Sequence, residues 1–254
     1  MFHHENPHRT DVQNRVLAGW LAAVAGFVNS AGFVFIGSFS SHVTGNVGRF
    51  ANDLALRDAP AAISAITLLL AFFGGAVVSS WAVESHVFGR RPALYGVLLF
   101  AEAALLGGFV LATSVWAPSD PRAHDLLAAI LCVAMGMQNS LITRLSGAVV
   151  RTTHLTGTVT DLGIEVSRWL RHWRARAEDT LHLKLSIGDA PRSEPSWPKT
   201  ALLLVIVGTF IGGGAAGALA AVHFQQQAFL LPIAALIAAG TYALSSDRVR
   251  RLPR

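Results

Sequence analysis

The chain is short of charge and has almost no cysteine. Only 14% of its 254 residues are Asp, Glu, Lys or Arg, whereas an ordinary soluble domain carries about 25%. From Val16 to Phe39 no side chain is formally charged. The single cysteine, Cys132, excludes an internal disulfide and, inside an apolar run, reads as a small buried hydrophobe. No G-x-S-x-G and no P-loop occurs, so a recognisable nucleophile or phosphate-cradling motif is missing. The start, MFHHENPHRTDVQNR, lacks the short apolar core and small-residue cleavage site of a secretory signal. The first apolar run is therefore expected to remain as an uncleaved anchor.

What is there in abundance is apolar side chain, at 52% of the residues. A membrane span needs about 20 mainly apolar residues, and six stretches qualify: Val16 to Gly37, Ala61 to Val83, Ala93 to Thr113, Leu126 to Ile142, Thr200 to Val222 and Ala228 to Leu244. Backbone groups in lipid must be satisfied within each segment, which makes these runs helices. The expected fold class is all-α, a polytopic membrane helix bundle in one domain. Trp20, Trp81, Trp116 and Trp197 fall near span ends and read as interface anchors.

The position of the basic residues gives an orientation. With the N terminus inside, 17 of the 20 Lys and Arg residues fall on the inner side and only Arg49, Arg57 and Arg122 on the outer. This is the positive-inside asymmetry, and it argues for a membrane protein with both termini cytoplasmic, not for a nucleic-acid partner. The longest charge-rich stretch lies between Arg144 and Lys199. Val166, Trp169, Leu170 and Trp173 recur there at helical spacing opposite Arg168, Arg171, Arg174 and Arg176. That pattern fits a basic helix in the headgroup layer touching anionic lipid, with a partner-binding helix as the other reading. SIGDAPRSEPSWP after it reads as a linker.

Internal repetition organises the rest. AGFVNS (Ala25 to Ser30) matches MGMQNS (Met135 to Ser140), SSHVTGNV (Ser40 to Val47) matches TTHLTGTV (Thr152 to Val159), and AFFGGA (Ala71 to Ala76) matches TFIGGG (Thr209 to Gly214). The order is the same in both halves. The sequence therefore divides into repeat one, 16–113, and repeat two, 126–245, with a basic insert at 162–199. Each repeat holds three spans, and an odd number turns the second copy upside down relative to the first. Inverted repeats of this kind are a recurring plan of secondary transporters, with substrate sites near the midplane.

The candidate site residues follow from the repeats. Thr44-Gly45 and Thr156-Gly157 are where a helix breaks or begins, with threonine able to cap new amides and glycine permitting unusual backbone angles. The two segments are expected to be broken or re-entrant helices whose N-terminal ends face an anion or polar solute; ordinary capped turns at the two membrane faces are the plainer alternative. His42 and His154 either accept a proton or fix the break through a backbone carbonyl. Asn29, Asn46, Gln138 and Asn139 are either solute contacts or interhelical glue. Glu102 lies mid-span, where an ionised carboxylate costs at least a few kcal/mol unless paired or protonated. With Asp161, it is the candidate for proton coupling, and Arg49 and Asp161 stand at matching places as a possible pair across the repeats. No cofactor or metal is expected, because only two histidines match and the nearest carboxylates, Asp53 and Asp161, lack ligand spacing.

AGFVNSAGFVFIGSFSSHVTGN in the first half and GMQNSLITRLSGAVVRTTHLTGTVTDLG in the second carry a resemblance to the YoaK family of bacterial inner-membrane proteins, defined by domain of unknown function 1275. The resemblance implies a multi-spanning membrane protein and brings no substrate or catalytic residue with it. One departure is Asn29-Ser30, where the family leads one to expect an acidic residue followed by Ala. The expected function is small-solute transport between inverted repeats. The alternatives are a membrane scaffold or sensor acting through its basic segment, and a membrane-embedded enzyme using His42 or His154. The expected partners are the lipid bilayer, an unidentified small solute, anionic lipid and a second copy of the chain.

Overall fold

The computed structural model describes residues 11–85, 91–116, 121–145, 155–180 and 194–249. Among them are eight α-helices and no strand: α1 (Asp11–Ile36), α2 (Val43–Ala55), α3 (Ala59–Glu84), α4 (Arg91–Val115), α5 (Pro121–Leu145), α6 (Leu155–Thr180), α7 (Trp197–Phe224) and α8 (Leu230–Val249). The six expected spans correspond to α1, α3, α4, α5, α7 and α8. The fourth, shortest as read from hydropathy, is a full 25-residue helix, because Arg122, His124 and Asp125 at its start are polar but still helical. The helical stretch from Trp197 to Ser245 is 49 residues long, or about 73 Å as one helix against a hydrocarbon core of about 30 Å, with polar His223 and Gln225 to Gln227 between its two apolar runs. The chain solves this by breaking at Gln225, whose φ is 50°, and passing through a 3₁₀ turn, Gln225–Phe229, into α8.

Side-chain contacts fix the directions of the spans. Gly19 faces Val205, Gly26 faces Phe210 and Gly214, and Phe27 faces Gly217, so α1 and α7 run the same way. Ser64 meets Asp125, Ser80 meets Ser140 and Glu84 meets Arg144, so α3 and α5 also run the same way as each other. Between the pairs the direction reverses: His124 at the start of α5 meets the Ile36 carbonyl at the end of α1, and Gln138 meets Leu21. Gly96 near the start of α4 packs on Gly240 and Leu244 of α8, while Phe109 near its end packs on Phe229. Phe35 beside Phe109 places the ends of α1 and α4 together. The face where α1 begins is called the near face below, and the face where it ends the far face.

Glycine sets the closest crossings. A Cβ on Gly26 would strike the Phe210 carbonyl, and one on the matching Gly136 would strike the matching Phe72 carbonyl. Gly75 lies in the same way against Val133, and Gly213 against Ala23. Residues that match in sequence thus make matching contacts, α1 on α7 and α5 on α3. Such small-residue crossings let helix backbones approach closely where lipid supplies no hydrophobic drive. The interior between them is apolar, with Leu21, Leu68, Leu99, Leu106, Leu131 and Met135 fully buried. The outward surfaces are apolar as well, including Leu70, Phe73, Ile211 and Leu219, as a helix in contact with lipid requires.

Candidate functional site

The first His-x-Thr-Gly segment folds back along α1. Gly37 takes φ 69°, a conformation only glycine adopts freely, and the chain reverses there. Ser38 then lies over Gly32, and Asn29 Oδ1 accepts from the Ser41 amide and hydroxyl, both at 3.0 Å, and from the Ser40 hydroxyl at 3.5 Å. Asn29 is seven residues below Ile36, so the chain descends about 10 Å before α2 starts. α2 then packs on α3, whose first turn lies at the far face beside α5. The segment folds back along the end of α1, and Asn29 is its structural anchor.

His42 sits at the N-cap of α2 without capping it by side chain. Its exposed ring instead lies over Gly45, where a Cβ would collide with the imidazole. The ring also meets Phe39 edge-on, and Phe39 stacks on Phe33 at 4.1 Å. Glycine at 45 is thus explained by the ring above it. Thr44 is exposed, and Asn46 is buried against the bundle.

The second segment is described only from Leu155 onward, and His154 lies outside the described residues. Thr156, Gly157 and Thr158 repeat the exposed, half-buried and buried sequence of Thr44, Gly45 and Asn46. The motif helix and the basic helix are one continuous α6. The shared site lined by both segments is not what the fold builds: α2 packs on α3 and α6 on α7, and no Cα of α2 lies within 8 Å of α6 among the described residues. Each helix turns its one buried face to its own neighbouring span, which leaves none to turn toward the other. The expected Arg49–Asp161 pair is absent for the same reason, and both residues are exposed.

The bundle interior holds a different polar set. Glu102 lies eleven residues from Arg91 and thirteen from Val115, midway along α4. It is 1% exposed, and neither carboxyl oxygen has a hydrogen-bond partner among the described residues. Gln138, 0% exposed on α5, donates through Nε2 to the Leu21 carbonyl at 3.4 Å and leaves Oε1 without a described partner. Asn139 Oδ1 and the Ser79 hydroxyl are buried in the same condition. Buried polar atoms are nearly always satisfied, so each of these oxygens is an exception within the packed bundle.

Two further clusters were not visible in the sequence. At the far face His124 Nε2 is 2.6 Å from the Ile36 carbonyl and Nδ1 is 3.3 Å from Asp125 Oδ1, which accepts from Ser64 at 2.7 Å. This chain ties the ends of α1, α3 and α5 beside the folded-back segment. At the near face the fully buried Glu165 carboxylate accepts from Arg168 at 2.6 Å, Lys199 at 3.1 Å and the Ser196 amide at 3.4 Å. Burial raises the Glu165 pKa, but the hydrogen bonds and charges of Lys199, Ser196 and Arg168 outweigh it and hold the group below the usual carboxylate value. A contact 31 residues apart leaves no local signal. The expectation of no metal weighed only His42 and His154 and overlooked one pattern: His4-Glu5-Asn6-Pro7-His8 spells H-E-x-x-H, the order of a zinc-protease motif. It lies outside the described residues.

A family model described as "Protein of unknown function (DUF1275)" matches residues 17–242. No curated protein and no solved structure matches the chain.

Proposed function

The chain belongs to the DUF1275 family, and on that premise we propose that it is a small-solute transporter of the bacterial inner membrane, built from inverted repeats and coupled to protons through Glu102. The observation that carries this is the Glu102 carboxyl, buried mid-span with both oxygens unpartnered among the described residues. Leaving a carboxylate bare at that depth costs about 3 kcal/mol even on insertion scales. The group therefore holds a proton until water or a partner reaches it, and reaching it requires the helices around it to part. A purely structural acid would be bonded to a neighbouring helix.

Three features support the architecture. The matched helices α1 and α5, α3 and α7, and α4 and α8 run in opposite directions, which is the geometry of an inverted repeat. The α1/α7 and α3/α5 crossings are equivalent, so either can rock against the other about the centre without losing its own packing. Among the described helices Arg15, Arg91, Arg144, Lys199 and Arg248 belong to near-face ends and only Arg57 and Arg122 flank far-face ends, which supports reading the near face as the cytoplasmic one. In this reading Gln138 and Asn139 supply the solute contacts. Thr44 and Thr156 are exposed and are not solute contacts in this reading.

A thermal-shift screen of the purified protein tests this against amino acids, sugars, organic acids and monovalent cations at mildly acidic and mildly basic pH. The expected result is a stabilising solute whose effect depends on pH in wild type and loses that dependence in Glu102→Gln. An unchanged pH dependence in Glu102→Gln overturns the proposal.

A further inference from the structure

The far-face ends of α1, α4 and α7 frame a cavity of about 460 Å³. Val34 and Phe35 come from α1, Thr113 from α4, Val222 from α7, and Gln225 and Gln226 from the break between α7 and α8. Val222 and Gln225 are exposed, so the cavity opens outward. Its volume falls in the range of about 300–1,000 Å³ usual for small-molecule sites. The two amides are here because the helix breaks here. Gln225 takes φ 50°, a conformation that costs a residue with a side chain about 1–3 kcal/mol, and the 3₁₀ turn then sets Gln226 beside it.

The lining selects its occupant. None of the lining residues is ionisable, so a charged solute would shed water there without gaining a counter-charge. A glutamine amide donates through nitrogen and accepts through oxygen, and the Thr113 hydroxyl, which donates to the Val110 carbonyl at 2.7 Å, keeps its lone pairs to accept. Hydroxyl and amide groups on a solute match such a mixed set. Val34, Phe35 and Val222 supply apolar contact for its carbon skeleton.

An aromatic layer separates this cavity from Glu102. Phe109 precedes Thr113 by one turn and follows Glu102 by seven residues, so it stands on the Glu102 side of α4, about 10 Å nearer the far face. Its ring is fully buried, with Phe35 at 6.1 Å and Phe229 at 4.6 Å. Leu106, also fully buried, fills the turn between Phe109 and Glu102. Phe35 belongs to both the cavity wall and the layer.

Resting on the transport reading above, we propose that this cavity is the outer binding site of the transported solute, an uncharged hydrogen-bonding molecule held by Gln225, Gln226 and Thr113 and kept from Glu102 by the layer around Phe109. The test uses the full chain in mild detergent carrying Cys132→Ala and Val222→Cys, so that one thiol reports on the cavity. Its reaction with N-ethylmaleimide is timed alone, with glucose, inositol, uridine or urea as uncharged probes, and with glutamate, lysine or citrate as charged ones. At least one uncharged probe should slow the reaction several-fold, and the charged probes should leave it unchanged. Adding Gln226→Leu should abolish the protection, whereas adding Glu102→Gln should preserve it, because the layer stands between the two places. Protection by no uncharged probe, equal protection by a charged one, protection that survives Gln226→Leu, or protection lost in Glu102→Gln overturns the proposal. The transport reading fails by a different result, an unchanged pH dependence of solute stabilisation in Glu102→Gln.

Discussion

α2 and α6 start from the same sequence motif and end as different devices. Their buried faces match position for position, Asn46 with Thr158 and Phe50 with Leu162. At the next matched position the two diverge: Asp53 Oδ2 is buried with no partner among the described residues, whereas Glu165 is held by Lys199, Arg168 and the Ser196 amide. The cause lies in what surrounds the acid. α2 stops at Ala55 after 13 residues and has Leu56 where α6 has Arg168; Ala61 stands where α7 has Lys199. The first copy therefore remains a short helix packed along α3, its matched acid without a partner among the described residues. The second is clamped at the near face and extended into a basic surface helix. The two helices keep a common packing face and differ at their ends.

The comparison can be broken at four levels. The largest effect belongs to what the halves share. Gly26→Leu and Gly136→Leu each drive a side chain into a backbone carbonyl, and each should cost at least about 3 kcal/mol, seen as comparable losses of Tm in detergent. Gly208→Leu, with open space around it, should be tolerated. If only one of the two buried glycines proves sensitive, the crossings are not equivalent.

The next effect separates the halves. Glu165→Gln should cost about 1–3 kcal/mol, while Asp53→Asn should change stability by less than about 0.5 kcal/mol or improve it. The pH dependence has a definite sign. The folded pKa of Glu165 is lowered from 4.5, so its contribution is complete above that value and disappears as pH falls through the lower, folded one. Tm measured from neutral pH downward should drop more steeply below about 4.5 in wild type than in Glu165→Gln.

Smaller effects test the folded-back segment. Asn29→Ala removes the acceptor of three hydrogen bonds and should cost about 1–2 kcal/mol, with faster hydrogen exchange at the Ser41 amide. Gly45→Ala should cost about 1 kcal/mol through its clash with the His42 ring. His42→Ala in the same chain should restore most of that loss, and an unrelieved double variant would separate the two residues.

Much of the fold was legible because membrane helices declare themselves locally. Six apolar runs, a skewed distribution of arginine and three repeated hexapeptide-scale matches were enough to identify the spans and the matched helices. Glu102 stood out for the same reason, as a lone charge in an apolar run. The meeting of the two Thr-Gly segments was misread because sequence symmetry says which residues correspond and not which helix each packs against. Glu165 was passed over because a carboxylate among arginines looks solvated, and only the fold brings Lys199 onto it. His124 and Asp125 gave no signal, since their partners Ile36 and Ser64 come from other helices. Asn29 was visible, but its role as an anchor depends on the reversal at Gly37.

The central claim is that Glu102 couples solute movement to protons. Its most direct test is proton flux into proteoliposomes carrying a trapped pH-sensitive dye, after addition of a stabilising solute outside. The account predicts solute-dependent acidification of the lumen by the wild-type protein and none by Glu102→Gln reconstituted to the same density. Equal acidification by both proteins, or solute uptake by the wild-type protein with no proton movement, would contradict it.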